Sequence, residues 1–305
     1  MLIEKNPTKG IIICLISYFF FSLTGLFEKS ISPSIHISII LFFQSLSCLF
    51  LILCSLIGNR SVSLKIVQLN AYIVRILAGI GCYAALFYII RFIPISEALL
   101  YQYTGVLWIS FIMLFWLNTS IPRNLWYGIL IGFAGILFIL RPTAIQLGGI
   151  SLLGILCGLL QGLSVVAVRK LSSTEPTLRI LFYYFLTGTF LMLPLAINHW
   201  SPIGLKDGLF MLGVGVSTYF AQHLFTLSAR YADPATLGPI CYTSILYSGL
   251  LGWIFWNEIP PAITLVGMAL VISGCLLTIW ITRTTYTGQK SLPVINTDEA
   301  SPEIP

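Results

Sequence analysis

The sequence predicts an all-α membrane protein in which ten transmembrane helices form two inverted repeats of five. Three observations predict this fold. Of the 305 residues, 57% are hydrophobic and only 9% are charged, whereas a soluble domain is about one-quarter charged. The chain contains ten apolar stretches of roughly 20 residues, the length that crosses a hydrocarbon layer about 30 Å thick. The pattern of its second half also repeats that of its first.

The spans must be helices, because backbone groups in hydrocarbon can bond only to one another and short connections at regular intervals do not fit barrel strands. In chain order we predict them over residues 10–27, 36–57, 71–91, 95–117, 124–140, 150–168, 178–197, 208–229, 235–256 and 262–281. Residues 284–305 are polar, contain proline and are partly acidic, so we predict a disordered tail there.

The distribution of positive charge predicts the orientation. Eleven Lys and Arg residues lie in the loops of one side and four in those of the other, while Arg75 lies inside the third span. The positive-inside rule therefore places both termini in the cytoplasm of a multi-pass inner-membrane protein. The net charge of +6 is too dispersed for a nucleic-acid surface. The seven cysteines lie in apolar spans without C-x-x-C spacing, so neither a metal nor a cofactor is expected.

An internal repeat is the most informative feature of the sequence. Residues 87–139 align with residues 225–279, matching Asn118 with Asn257 and Gly128 with Gly267. Because five spans is an odd number, the second half must cross the membrane upside down relative to the first. Inverted repeats build two interconvertible states around one central site, an arrangement typical of transport.

Several motifs carry a resemblance to a known family. They are the runs RFIPISEA at 91–98 and VRKL at 168–171, the glycines 128, 132 and 135 before Arg141, the run ADPA at 232–235, and WNEIP at 256–260. In this order and spacing they resemble the drug/metabolite transporter superfamily, EamA type. The resemblance implies one repeat over residues 9–141 and another over 148–283. It also implies a cavity lined by spans one to four and six to nine, with spans five and ten peripheral.

Regularly spaced residues on two spans have competing interpretations. Glycines at four-residue spacing, such as Gly154 and Gly158, favour close helix packing over gating. On span four, Tyr101 and Trp108 share one face with Glu97, Thr104 and Phe111. This stripe could bind a planar or cationic ligand by stacking and cation–π attraction, or could equally belong to the interfacial aromatic belt.

Ionisable residues within the spans also allow two interpretations each. Glu97 could cap a helix or act as a gate that carries protons, and Glu28 could do the latter or face outside water. Arg75 could extend its stem toward the interface or bind an anion or act as a gate. His223 could be a neutral, hydrogen-bonded group or a binding site for substrate or a proton. The carboxamide of Gln102 could bond between helices or line the cavity.

We therefore expect a carrier that moves a small organic metabolite or drug-like solute, amino-acid-like, cationic or neutral, by alternating access. The expected cavity residues are Gln44, Tyr83, Tyr101, Trp108, Gln161, Tyr219, His223, Tyr242 and Tyr247, with Glu28, Arg75 and Glu97 as gate or coupling residues. The chain has no P-loop motif, so an ion or solute gradient must supply the energy. Proton-coupled export is the first expectation.

Three alternatives remain open. The carrier could take up or exchange a host metabolite such as a nucleoside derivative, acting as a monomer or a homodimer. An intramembrane enzyme is disfavoured, because the histidines are scattered and neither H-E-x-x-H nor G-x-S-x-G occurs. A receptor or scaffold would need a sizeable domain outside the membrane, and the longest polar segment is the tail of about twenty residues.

Overall fold

The structure, a computed structural model, describes residues 6–58, 63–89, 92, 95–118, 122–140, 149–257 and 261–290. For residues 87, 95–97, 140, 256 and 283–290 it describes the backbone alone. The described residues are helical apart from short connections, as the sequence predicts.

Twelve α-helices build the ten spans among the described residues. They are α1 (Pro7–Ser30), α2 (Ile37–Gly58), α3 (Leu69–Ile89), α4 (Ile95–Tyr103), α5 (Gly105–Leu117), α6 (Leu125–Leu140), α7 (Gly149–Ser172), α8 (Thr177–Asn198), α9 (Leu205–Tyr231), α10 (Pro234–Leu237), α11 (Thr243–Trp256) and α12 (Ala262–Lys290). The first helix begins where the Asn6 side chain accepts a hydrogen bond from the Lys9 backbone N–H, with Pro7 at the first helical position.

Spans four and nine, which are equivalent in the two repeats, are each interrupted. Span four is divided at Thr104 into α4 and α5. Span nine is divided by Gly238 and a 3₁₀ turn, Pro239–Tyr242, into α10 and α11. The second helix of each span ends at an asparagine, Asn118 or Asn257, in the left-handed backbone region. The hydropathy pattern predicts both spans but neither interruption.

The packing of α6 on α12 shows that the two halves are inverted. These helices are equivalent in the two repeats. A Cβ added to Gly128, near the start of α6, would lie 3.0 Å from the carbonyl oxygen of Gly274, near the middle of α12. One added to Gly135 would lie 2.6 Å from the carbonyl oxygen of Gly267, near the start of α12. The two helices therefore run antiparallel, and missing side chains allow their backbones to touch.

Hydrogen bonds between helices also join the two halves. Between α1 and α9, the Ser17 hydroxyl donates to the Ala221 carbonyl at 2.8 Å, and Thr24 and Ser217 share a hydroxyl hydrogen bond of 2.9 Å. Between α2 and α8, the Ser38 hydroxyl donates to the Leu195 carbonyl at 3.2 Å. Serine and threonine bridges of this kind join helices where lipid supplies no hydrophobic driving force between them.

The exterior and interior of the bundle have opposite chemistry. Large apolar side chains such as Phe115 and Trp280 are exposed on the outside, and eight of the described helices are long and apolar enough to cross a membrane. Helix α9 is not in this set. It buries a polar face made of Ser217, Thr218, Gln222, Thr226 and Ser228. Helix α9 therefore lines the interior of a membrane-embedded bundle.

The C-terminal helix extends further than the sequence analysis expects. Helix α12 continues to Lys290, whereas the polar composition predicts a disordered tail from residue 284. Residues 291–305 lie outside the described residues, so the rest of that prediction stays untested.

Candidate functional site

Two adjoining cavities lie between the halves of the bundle. Their volumes are about 260 Å³ and 350 Å³, and they share Tyr83, Tyr184 and Gln222 as a common wall. The lining side chains come from spans one to four and six to nine. Helices α6 and α12 contribute none of them, which matches the peripheral position that the resemblance implies for spans five and ten.

The two cavities lie at different depths in the bundle. The first is lined mainly by residues from the middle of the helices, such as Tyr18 of α1, Gly79 of α3 and Gln161 of α7. The second also contains residues at the start of α2 and the end of α8, which lie on one side of the membrane by chain topology. The shared wall therefore lies between a central vestibule and a vestibule that reaches one end of the bundle.

Arg75 is the charged group of the first cavity. Its side chain is only 6% exposed. One terminal nitrogen donates to the Ser164 hydroxyl and the other to Oε1 of Gln222 at 3.3 Å. The guanidinium carbon lies 4.2 Å from the centre of the Tyr184 ring, a cation–π distance. Among the described residues, Nε has no hydrogen-bond partner.

Aromatic and hydroxyl groups form the rest of the first cavity. Tyr103 and Ser244 share a hydrogen bond of 3.1 Å between their hydroxyls, and the Ser22 hydroxyl donates to the Ser244 carbonyl at 3.0 Å. The rings of Tyr18 and Phe225 meet edge to face at 6.1 Å. This arrangement offers flat apolar surfaces to an organic solute, together with few fixed charges.

The second cavity is mainly apolar and ends at two stacked histidines. The imidazoles of His36 and His199 lie nearly parallel, with ring centres 4.1 Å apart. Deeper in the cavity, the amide nitrogen of Gln44 donates to the Thr218 hydroxyl at 2.7 Å. The histidine pair thus lies at the mouth of this vestibule, and the polar Gln44–Thr218 pair lies near the shared wall.

Four of the sequence-predicted residues line the cavities. Tyr83 and Gln161 line the first, as does Arg75, and Gln44 and Tyr83 line the second. Gln161 accepts a hydrogen bond from the Cys82 thiol at 3.4 Å. Their function stays a prediction, but the structure brings them together.

The aromatic stripe of span four lies against α7. The Tyr101 hydroxyl donates to Ser151 at 3.0 Å, and its ring occupies the space left by Gly154. The Cβ of Trp108 would lie 3.2 Å from a Cβ added to Gly162 of α7. Neither residue lines either of the two cavities. Gln102 and Tyr103, which lie beside the stripe on the helix, line the first cavity.

The other predicted residues also lie apart from the cavity linings. Tyr219 and Ser55 share a hydroxyl hydrogen bond of 2.9 Å, and the His223 ring lies 5.7 Å from that of Tyr219. Tyr242 is fully buried against Gly132. Tyr247 meets the Phe19 ring at 5.7 Å.

Two predicted gate residues contain carboxylates. Glu28 lies in the last turn of α1. The Glu97 side chain lies outside the described residues.

Sequence reasoning missed Tyr18, Tyr103, Tyr184 and Gln222 as lining residues. Gln222 carried a usable signal, because a carboxamide deep in a span needs a polar partner. The tyrosines carried none, since tyrosine is common both at interfaces and in packed cores. Within the described part of the chain, no three His, Cys, Asp or Glu side chains cluster as metal ligands would.

Comparison with known proteins agrees with this architecture. The EamA-like transporter family matches residues 8–141 and again residues 148–280. The chain is 25% identical over 269 residues to the pseudopaline exporter CntI of Pseudomonas aeruginosa, a match that covers 88% of this chain and 94% of the exporter. It is 28% identical over 224 residues to a riboflavin transporter of Vibrio cholerae, covering 72% and 75% of the two chains.

Other matches extend along nearly the whole chain. An S-adenosylmethionine uptake transporter of Rickettsia prowazekii is 21% identical over 276 residues, which cover 90% of this chain and 94% of the relative. A solved crystal structure superposes with a TM-score of 0.77 at 18% identity, covering 91% of this chain and 99% of the other, and so shares the fold. With two matched domains in ten spans, this chain is a multi-pass membrane protein that belongs to the EamA-like transporter family.

Proposed function

We propose that this protein is a secondary transporter that moves a small amino-acid-like solute across the inner membrane by alternating access. The observation that carries the proposal is the pair of cavities on opposite sides of one wall, Tyr83, Tyr184 and Gln222. Rocking of the two inverted halves would open one vestibule while it closes the other around this wall. Aromatic walls with one buried cation favour organic solutes over polyphosphates.

The direction of transport is proposed to be export driven by protons, with both termini in the cytoplasm. In that orientation the vestibule at His36 and His199 faces outside. Glu28 is the coupling residue we favour, because α1, which carries it, also contributes Tyr18, Phe21 and Ser22 to the first cavity. The similarity to an exporter supports the direction.

Uptake or exchange of a nucleoside-type metabolite is the second candidate. The similarity to S-adenosylmethionine uptake transporters favours it, and the aromatic walls of the first cavity would accept a stacked base as well as an aromatic side chain.

Flux into proteoliposomes separates these candidates. Labelled amino acids, nucleosides, riboflavin and S-adenosylmethionine are compared with and without a pH gradient. We expect gradient-dependent flux of an amino-acid-like solute. Flux of a nucleoside-type solute alone would favour the second candidate, and no flux of any solute in the panel would contradict the proposal.

A pair of variants tests the coupling residue. Glu28→Gln should leave exchange of solute intact and remove the effect of the pH gradient. His223 lies apart from the cavity linings. His223→Gln is therefore the matched control, and it should keep the effect of the pH gradient on flux. The reverse result would assign proton coupling to His223.

A further inference from the structure

We propose that the transported solute carries a carboxylate that binds the Arg75 guanidinium, with an apolar or aromatic body against the tyrosine and phenylalanine walls of the first cavity. This inference rests on the proposed transport function and names its substrate class.

Arg75 places a buried positive charge in the lining of the first cavity. Its side chain lies deep in the bundle and is 6% exposed. Within the described part of the chain, no carboxylate lies within ion-pair distance of it. A buried guanidinium without an anionic neighbour is costly in a membrane protein and marks a functional site by default.

Three of the four described acidic side chains have partners elsewhere, and no ion pair joins the fourth, Glu28, to Arg75. Glu175 pairs with Arg179, and Asp233 pairs with Arg169. Asp207 accepts the Ser32 backbone N–H at 2.9 Å. Since none of the described carboxylates pairs with Arg75, an anion supplied by a bound molecule would compensate its charge.

The Arg75 guanidinium has hydrogen-bond donors that its described partners leave unused. A guanidinium has five N–H donors. Ser164 and Gln222 each accept from one terminal nitrogen, and Nε has no partner in the part of the chain that the structure describes. Buried donors without acceptors are unfavourable. A carboxylate in the cavity would accept from them and bring the opposite charge with it.

Contacts with three residues hold the Arg75 guanidinium in a fixed orientation. The Tyr184 ring covers one of its faces at 4.2 Å, and the Ser164 and Gln222 bonds hold its two ends. A planar cation fixed on three sides recognises a planar anion with little further loss of freedom. Tyr184 also belongs to the shared wall, so an anion bound at Arg75 would lie where the two vestibules meet.

A carboxylate fits the charge of the first cavity better than a phosphate does. Among the described lining residues, Arg75 is the one lysine or arginine of the first cavity. One positive charge neutralises a carboxylate, whereas a doubly charged phosphate would need further cations or helix N-termini. The rings of Tyr18, Phe21, Tyr103 and Phe225 supply the surface for the body of the solute.

Matched ligands test this inference without any mutation. L-Phenylalanine, L-phenylalaninamide and phenethylamine share one body and differ in the carboxylate. Binding to the purified full-length protein is followed by thermal shift, and flux is followed in proteoliposomes. We expect phenylalanine to bind at least about tenfold more tightly than the other two, because the amide and the amine leave the Arg75 charge uncompensated.

Variants assign the effect to Arg75. Arg75→Gln should reduce the preference for phenylalanine over its amide to within about twofold, and Arg75→Lys should restore part of it. Arg123→Gln, in an exposed arginine, is the matched control and should keep the full preference. If Arg75→Gln does not fold, Tyr184→Ala, which removes the stacked ring, takes its place and should lower the same preference.

The outcomes separate this inference from the transport proposal. Flux of a solute that is indifferent to amidation and to Arg75→Gln would overturn the carboxylate site and leave the transporter in place. Arg75-dependent binding of phenylalanine without flux would support the site and overturn the transport proposal. Neither binding nor flux of phenylalanine would overturn the carboxylate inference.

Discussion

Asn118 and Asn257 adopt the same left-handed backbone conformation, with φ of 51° and 52°, at the ends of two helices that occupy equivalent places in the two repeats. They are the non-glycine residues of positive φ among those described. Asparagine tolerates this conformation because its short polar side chain can bond locally. The repeat is therefore conserved between the halves as a backbone turn as well as a sequence pattern.

The first prediction concerns these two turns. Asn118→Val or Asn257→Val should each lower the free energy of unfolding by about 1–2 kcal/mol, because a β-branched residue is strained at positive φ. Asn→Gly at either position should be tolerated, since glycine adopts this region freely. Thermal unfolding of the purified protein in detergent measures both. A valine tolerated at only one of the two sites would show that the turns are not equivalent.

The second prediction concerns the contact between α6 and α12. Gly135→Ala should lower the free energy of unfolding by about 1–3 kcal/mol, because the new Cβ would lie 2.6 Å from the Gly267 carbonyl oxygen and 2.8 Å from the Val271 nitrogen. Both neighbours are backbone atoms, so the helices must separate.

Gly25→Ala is the matched control for this contact. Nothing lies within 4 Å of a Cβ at Gly25, and alanine favours the helix over glycine by about 0.5–1 kcal/mol. This variant should therefore be neutral or slightly stabilising in the same unfolding measurement. Equal effects of the two substitutions would argue against close packing of α6 on α12.

The third prediction concerns an ion pair in the connection between α7 and α8. The fully buried Glu175 carboxylate accepts the Val67 and Gln68 backbone N–H groups at 2.8 and 3.2 Å and pairs with Arg179. Glu175→Ala leaves the buried Arg179 guanidinium without its anionic partner and two backbone N–H groups without acceptors, and should cost about 3–5 kcal/mol of unfolding free energy.

A half-exposed pair provides the comparison. Asp233, with 43% of its side chain exposed, lies 2.9 Å from Arg169. Removing such a partner usually costs no more than about 1 kcal/mol. Chemical denaturation of Glu175→Ala and Asp233→Ala side by side measures the contrast, and similar losses for both would refute the structural role of Glu175.

The fourth prediction tests the packing of α3 on α7. The Cys82 and Cys157 sulfurs lie 3.7 Å apart. Copper phenanthroline, by accepting two electrons as the two thiols lose their protons, should join them in a disulfide that non-reducing peptide mass spectrometry detects. Both helices line the first cavity, so the bond should stop flux. Cys82→Ser should remain active under the oxidant, and oxidant-treated wild type with full flux would contradict this prediction.

Much of the fold could be predicted from the sequence, because hydropathy responds to lipid exposure over whole spans. All ten spans and the inversion of the halves follow from length and parity. The breaks at Thr104 and Gly238 were missed, because hydropathy averaged over a whole span does not register a local interruption. The Gly238-Pro239 dipeptide carried a usable signal, since proline removes a backbone donor and interrupts a helix. The continuation of α12 to Lys290 was also missed, because polar composition does not exclude a helix.

The candidate site was predictable only in part. Helical spacing correctly groups Tyr101 and Trp108 on one face, but spacing does not say which neighbour that face contacts. Gly154 of α7 leaves the space that the Tyr101 ring fills, and Gly162 lies against the Cβ of Trp108. Arg75 was identified as an intramembrane charge, yet its partners Ser164 and Gln222 are more than 80 residues away in the chain. Contacts of that range depend on tertiary packing.

The common wall of Tyr83, Tyr184 and Gln222 also indicates how the protein could be blocked. A long amphiphile with its acidic head on Arg75 and a greasy tail reaching toward His36 would lie across both vestibules at once. Such a molecule would hold the two halves apart and stop the transport cycle. Chain length, more than binding strength, would then distinguish an inhibitor from cargo.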